Sequence, residues 1–207
     1  MDFLKTICPE GCDDDKHLAM LNAAAKLFLT RGFSNTSMDM IAAEAGVSKQ
    51  TVYSHFQTKL NLFARSIEVV AESFMGPSVW EMHENETVRE SLIRVGHQFV
   101  RLLISPESIM MSRMLTVEGA DTDKLAQTYY EKGPMMCKRA FEGMLKTWNA
   151  KGDLHVDDFE LAAKHFLSLL KGEVHLKFLL NIQKSITDEE VDTHVNQSVD
   201  AFLKLYA

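Results

Sequence analysis

The chain has 207 residues, 46% of them hydrophobic and 25% charged, with 22 Lys and Arg against 29 Asp and Glu for a net charge of −7. This is ordinary globular composition, enough for one large or two modest cores, and it excludes a fibrous or disordered chain. No stretch approaches the roughly 20 apolar residues of a membrane helix, the start MDFLKTICPEGCDDDK lacks the basic and apolar regions of a secretory leader, and the odd set Cys8, Cys12 and Cys137 argues against a disulfide framework, so a cytoplasmic protein is expected.

Residues 1–15 combine Pro9, Gly11 and an acidic run, which reads as a mobile arm. Cys8 and Cys12, with His17 nearby, do not have a strong zinc spacing and lack a fourth ligand, so no metal and no cofactor is expected. From His17 to Arg31, Leu18, Leu21, Ala25 and Phe28 recur three or four apart and predict a helix with one apolar stripe, stopped at Gly32.

The stretch Thr36 to Phe63, TSMDMIAAEAGVSKQTVYSHFQTKLNLF, is the most informative in the chain. Ile41, Ala42 and Ala45 share a helical face, Gly46 supplies a left-handed stop, and Ser48 can cap a second short helix whose Val52 and Phe56 point inward. Thr36 or Ser37 can cap the first of the two helices, and the same hydroxyls and free amides can bind a phosphate. Lys49 and Gln50 stand at the start of the second helix, where a helix in the major groove meets base edges; lysine suits guanine and glutamine suits adenine. Lys59 opens the next helix, where a cation opposes the helix dipole and a bound phosphate would account for it.

These residues together resemble the DNA-binding motif of the TetR family of bacterial transcriptional repressors. The similarity lies in the hydroxyl pair Thr36 and Ser37, in Ile41 and Ala42, in the corner Ala45 to Ser48, in Thr51, Tyr53 and Phe56, and in Lys59, Leu62 and Phe63. Gln50, where the family often has a small residue, and Leu60 with Asn61, where it often has acidic ones, depart from the pattern. The resemblance implies that Ser48 and Thr51 join Lys49 and Gln50 at the DNA, and that Tyr53 and His55 hold its backbone. Tyr53 also reads as an ordinary half-buried aromatic.

Charge divides accordingly. Residues 16–66 carry six Lys and Arg against Asp39 and Glu44, whereas residues 1–15 carry one lysine against five acidic residues and the remainder is acidic. A basic head before an acidic body fits a protein whose first part meets phosphates.

Helices are also expected from Lys59 to about Met75, ended by Gly76 and Pro77, and over 86–104, 108–119, 122–150 with an interruption at Gly133 and Pro134, 157–182 and 188–206. No alternating run argues for a sheet. The predicted fold is all-α, with an arm at 1–15, a three-helix helix-turn-helix domain at 16–62, and a helical effector-binding and dimerisation domain at 63–207 reached through a linking helix. Soft and bulky residues, among them His97, Met110, Met111, Met114, Tyr129, Met136 and Trp148, suit an apolar effector cavity of the kind the resemblance implies; methionine as core filler is the alternative. Phe159, Ala163, Phe166 and Leu170 form one late stripe and Val191, Val195, Val199 and Phe202 another, fit either for a four-helix dimer interface or for the subunit's own core. The expected function is a homodimeric repressor that leaves a near-palindromic operator when a small, largely apolar molecule binds. The alternative is the same fold answering to a protein partner, or to metal or oxidant at Cys8 and Cys12. No G-x-G-x-x-G, G-x-S-x-G, H-E-x-x-H or paired C-x-x-C motif is present, so no enzyme is expected.

Overall fold

A computed structural model of the chain describes residues 15–118 and 123–207, so the segment with Cys8 and Cys12 lies outside the described residues. Every regular element among them is a helix: α1 (Asp15–Arg31), α2 (Met38–Ala45), α3 (Lys49–Phe56), α4 (Lys59–Phe74), α5 (Pro77–Trp80), α6 (Val88–Ile104), α7 (Pro106–Glu118), α8 (Asp123–Lys132), α9 (Pro134–Lys151), α10 (Phe159–Leu179) and α11 (Asp188–Tyr206). None is long and apolar enough to cross a membrane.

The chain folds as two compact units. One runs to Ser73 and takes in Pro106–Gly133; the other comprises Phe74–Ser105 and Pro134–Ala207. Helices α7 and α8 group with α1 to α4 in the first unit. The reason is packing: Met111 of α7 and Leu125 of α8 are buried in the same cluster as Met20, Phe28, Ile41, Val52 and Phe63. Within it the rings of Phe28, Phe33 and Phe63 meet at centroid distances of 5.4–5.7 Å, a favourable range for tilted and edge-on aromatic pairs. Lys132 of α8 pairs with Glu68 of α4 at 2.7 Å.

The second unit is built around stacked Phe141 and Phe166, 4.7 Å apart, with Trp148 and Phe202 against them. Phe166, Leu170, Ala163, Val195, Val199 and Phe202 are fully buried and Val191 nearly so. Only Phe159 of the eight expected dimer residues is partly exposed. The two late stripes thus close the subunit's own core, because α10 and α11 turn them toward each other and toward α6 and α9. Gly96 permits the close approach of α6: a Cβ there would lie 2.8 Å from Val195 Cγ1.

The ends of these helices follow local chemistry. Thr87 and Thr187 each form a full capping box, with Glu90 and Glu190 respectively. Gly133 closes α8 through its N–H to the Tyr129 carbonyl, and Pro134 begins α9 without an amide to satisfy. The expected single helix over 157–182 is broken inside α10, where Gly172 has φ 36° and ψ −148°. His194 lies alongside, with Nε2 donating to the Leu170 carbonyl at 2.8 Å.

The 77–87 segment is anchored by Arg94, whose guanidinium pairs with Glu86 and donates to the carbonyls of Val79 and Glu81. That pairing, reinforced by the Ser91 hydroxyl against the cost of burial, lowers the Glu86 pKa from 4.5 to about 2. A depressed carboxylate pKa stabilises the fold above the unfolded value, and the contribution is lost as pH falls from about 4.5 through about 2. Glu86→Gln should therefore unfold at lower urea than the parent at pH 6, with the difference shrinking toward pH 2. A gap that stays constant over that range would contradict the pairing.

Candidate nucleic-acid interface

The site begins with two capped helices. Ser37 caps α2, its Oγ accepting from the Met40 amide at 3.2 Å. Gly46 ends α2 in the left-handed region at φ 68°, and the Val47 amide bonds back to the Ala42 carbonyl at 3.0 Å. This is the glycine stop expected from the sequence, since a Cβ is disfavoured at that backbone geometry. Ser48 then caps α3, accepting from the Thr51 amide at 3.1 Å. Val52 and Phe56 fix α3 to the core with 0% and 5% exposure.

This anchoring leaves Lys49, Gln50, Tyr53, Ser54 and His55 exposed on an eight-residue helix. Tyr53 is 41% exposed, with Lys49 Nζ 5.7 Å from its ring centroid. His55 Nδ1 lies 3.5 Å from Nδ1 of His17, whose ring packs on Phe56. The half-buried Thr51 shares a hydroxyl contact of 2.8 Å with Ser48.

Other candidates are held more firmly inside the unit. Thr36 is 2% exposed and its hydroxyl donates to the Gly32 carbonyl at 2.7 Å. Lys59 directs Nζ to the carbonyls of Phe33 and Thr36, both at 2.7 Å, and sits 4.3 Å from the Phe33 ring centroid. Burial lowers its pKa, opposed by the charge of Glu118. Glu118, at the end of α7, accepts from the Ser34 amide at 2.8 Å and the Ser34 hydroxyl at 3.1 Å. The loop between α1 and α2 is thus clasped from α4 and α7. Thr58, not an acidic residue, caps α4 through the Asn61 amide.

The basic head is less available than its residue count implies. Lys26 pairs with Glu44, Arg65 pairs with Glu72 and Glu68, and Lys49 pairs with both carboxylate oxygens of Asp39 at 2.8 and 2.9 Å. The hydrogen bond and charge of Asp39 raise the Lys49 pKa above the ordinary lysine value. The roles of Asp39, Glu44 and Glu118 as partners of Lys49, Lys26 and Ser34 were not foreseen from the sequence. The only signal was that Asp39 and Glu44 were the two acids in a basic segment.

The seven candidate effector residues do not share one unit. Met110, Met111, Met114 and Tyr129 belong to the first, with Met111 buried in its core and Met114 and Tyr129 packed against it. His97, Met136 and Trp148 belong to the second: Trp148 is 1% exposed, and His97 Nε2 is 3.2 Å from Asp192. Cys137 is buried in the second core, which raises its thiol pKa to about 12 and makes it a poor nucleophile. Among the described residues no group of three or more His, Cys, Asp or Glu side chains could hold a metal ion.

An apolar-faced pair of helices around a glycine corner, with the second helix bearing exposed polar residues, defines a helix-turn-helix DNA-binding protein. Residues 20–65 match the family described as bacterial regulatory proteins of the tetR family, and residues 90–207 match the C-terminal domain of AefR-like transcriptional repressors. The chain belongs to the TetR family of transcriptional regulators. It is 26% identical over 191 residues to the HTH-type transcriptional regulator YdeS of Bacillus subtilis, across 90% of this chain and 87% of that one. Among solved structures it resembles a TetR-family regulator of Mesorhizobium loti, with 26% identity, a TM-score of 0.79, and coverage of 93% and 96% of the two chains. It also resembles the flavonoid-responsive regulator FrrA, with 32% identity, a TM-score of 0.75, and coverage of 92% and 96%. Such relatives are regulators rather than enzymes.

Proposed function

We propose that this protein is a ligand-responsive repressor whose two copies hold a near-palindromic operator and leave it when a small, largely apolar effector binds. The observation that carries the reading is α3 itself: Val52 and Phe56 lock one face while Lys49, Gln50, Tyr53 and His55 project from the others. Ser37 and the free amides of α2 supply a phosphate-binding helix start beside it. In this reading Lys49, Gln50 and Thr51 meet bases, Tyr53 and His55 meet the backbone, Ser37 and Ser48 hold the helix starts, and Thr36 braces the preceding loop through the Gly32 carbonyl. Repression agrees with the matched family description, and an apolar aromatic effector with the flavonoid response in the name of FrrA. A second copy has apolar residues to cover outside the core, with Leu161 at 43%, Leu176 at 50% and Leu205 at 63% exposure on α10 and α11. Two recognition helices would enter successive major grooves about 34 Å apart.

Selection from a random duplex library tests the groove assignment. Gln50→Ala should change which bases are enriched, whereas Tyr53→Ala should lower affinity for all sequences alike, because base contacts specify and backbone contacts position. Unchanged preference together with unchanged affinity would overturn it. A flavonoid added to the selected complex should release the DNA from a chain that sediments as a dimer. Retention of DNA at saturating flavonoid would rule out that effector class, and a monomer that binds as tightly would rule out the dimer.

A further inference from the structure

We infer that Asp39 is a specificity-determining residue, holding Lys49 away from the phosphates of arbitrary DNA and yielding it to a site that offers a guanine. The inference rests on the DNA-groove reading of α3.

Lys49 is the first residue of the recognition helix and Asp39 lies in the first turn of α2. Nζ is bracketed by Oδ1 at 2.8 Å and Oδ2 at 2.9 Å, so the lysine meets the duplex as half of a neutral pair. Both side chains are 60% exposed. An exposed pair is weak and readily exchanged. A phosphate oxygen can accept from the lysine, but it repels the carboxylate beside it. A G·C pair in the major groove presents O6 and N7 acceptors to the lysine and the cytosine N4 amine to the carboxylate. The pair thus gains little on backbone and is matched on both sides by one kind of base pair. Asp39 is also a favourable acid at the start of α2, and that local role predicts nothing about DNA.

The two roles separate in binding isotherms on a random-sequence duplex of about three helical turns, measured over a range of salt with the parent chain, Asp39→Asn, Lys49→Met and the double variant. With Asp39→Asn, Lys49 is expected to engage a phosphate, tightening random-duplex binding roughly fivefold at low salt and steepening the log–log salt slope by about 0.9. In the Lys49→Met background the Asp39→Asn change should have no such effect. Equal affinity and slope for Asp39→Asn and the parent would overturn the inference. So would an equal gain in the Lys49→Met background, which would mean that Asp39 acts by bulk repulsion alone. If the folded parent binds no duplex at low salt, the groove reading itself fails and the inference with it. Circular dichroism of each variant establishes folding before the isotherms are read.

Discussion

Phe63→Ala is expected to destabilise the first unit by about 3–5 kcal/mol, the usual cost of removing a fully buried phenyl ring. Phe63 is 0% exposed and lies 5.7 Å from the Phe28 ring and 5.4 Å from that of Phe33, so its loss strips both partners of their edge contacts. Phe28 comes from α1, Phe33 from the following loop and Phe63 from α4, so the cavity would open among three separate segments. Urea unfolding followed by far-ultraviolet circular dichroism measures the effect. A loss below about 1 kcal/mol would mean that the site collapses without cost, which the spread for large-to-small changes makes unusual.

Lys59→Met should cost about 2–3 kcal/mol and weaken DNA binding without regard to sequence. Methionine keeps most of the apolar stem and removes the ammonium, leaving the Phe33 and Thr36 carbonyls without their 2.7 Å donor. A charged donor is among the stronger hydrogen bonds, and an acceptor stranded beneath a side chain costs about 1–3 kcal/mol. Those carbonyls belong to the loop that leads into the Ser37 cap, so a looser loop blurs the position of α2. The result separates two jobs for this lysine. If Lys59 served only a phosphate, Lys59→Met would leave the urea midpoint unchanged and flatten the salt slope by about 0.9. A reduced midpoint with an unchanged slope is the result expected from the hydrogen bonds.

Much of this arrangement was visible in the residues because it depends on neighbours in the chain. A glycine is needed where the backbone turns left-handed, and Gly46 stands there. A serine can accept from the amides two or three positions on, and Ser37 and Ser48 do so. The four-residue spacing of Val52 and Phe56 sets which face of α3 is buried, and hence which residues remain outside. The break at Gly133 and Pro134 was legible for the same reason, and the all-helical class follows from such local periods.

What a periodic stripe does not encode is its partner. The stripes of Phe166 and Leu170 and of Val195 and Val199 read equally as a dimer seam or a core, and only their packing with Phe141 and Trp148 decides for the core. Nor did the spacing of the methionines reveal that Met111 belongs with Phe28, some eighty residues earlier, while Met144 belongs with Phe166.

The sequence by itself determined the all-helical class, the serine caps of α2 and α3, the corner of the helix-turn-helix and the identity of the side chains offered by α3. These are set by backbone sterics and hydrogen bonds spanning a turn or two. The tertiary structure alone decided that α7 and α8 join the first unit, that Lys59 holds a loop together, and that Lys49 is paired with Asp39. Those outcomes depend on which distant surfaces meet and on which charges then lie within hydrogen-bond reach, and neither quantity is carried by residue spacing.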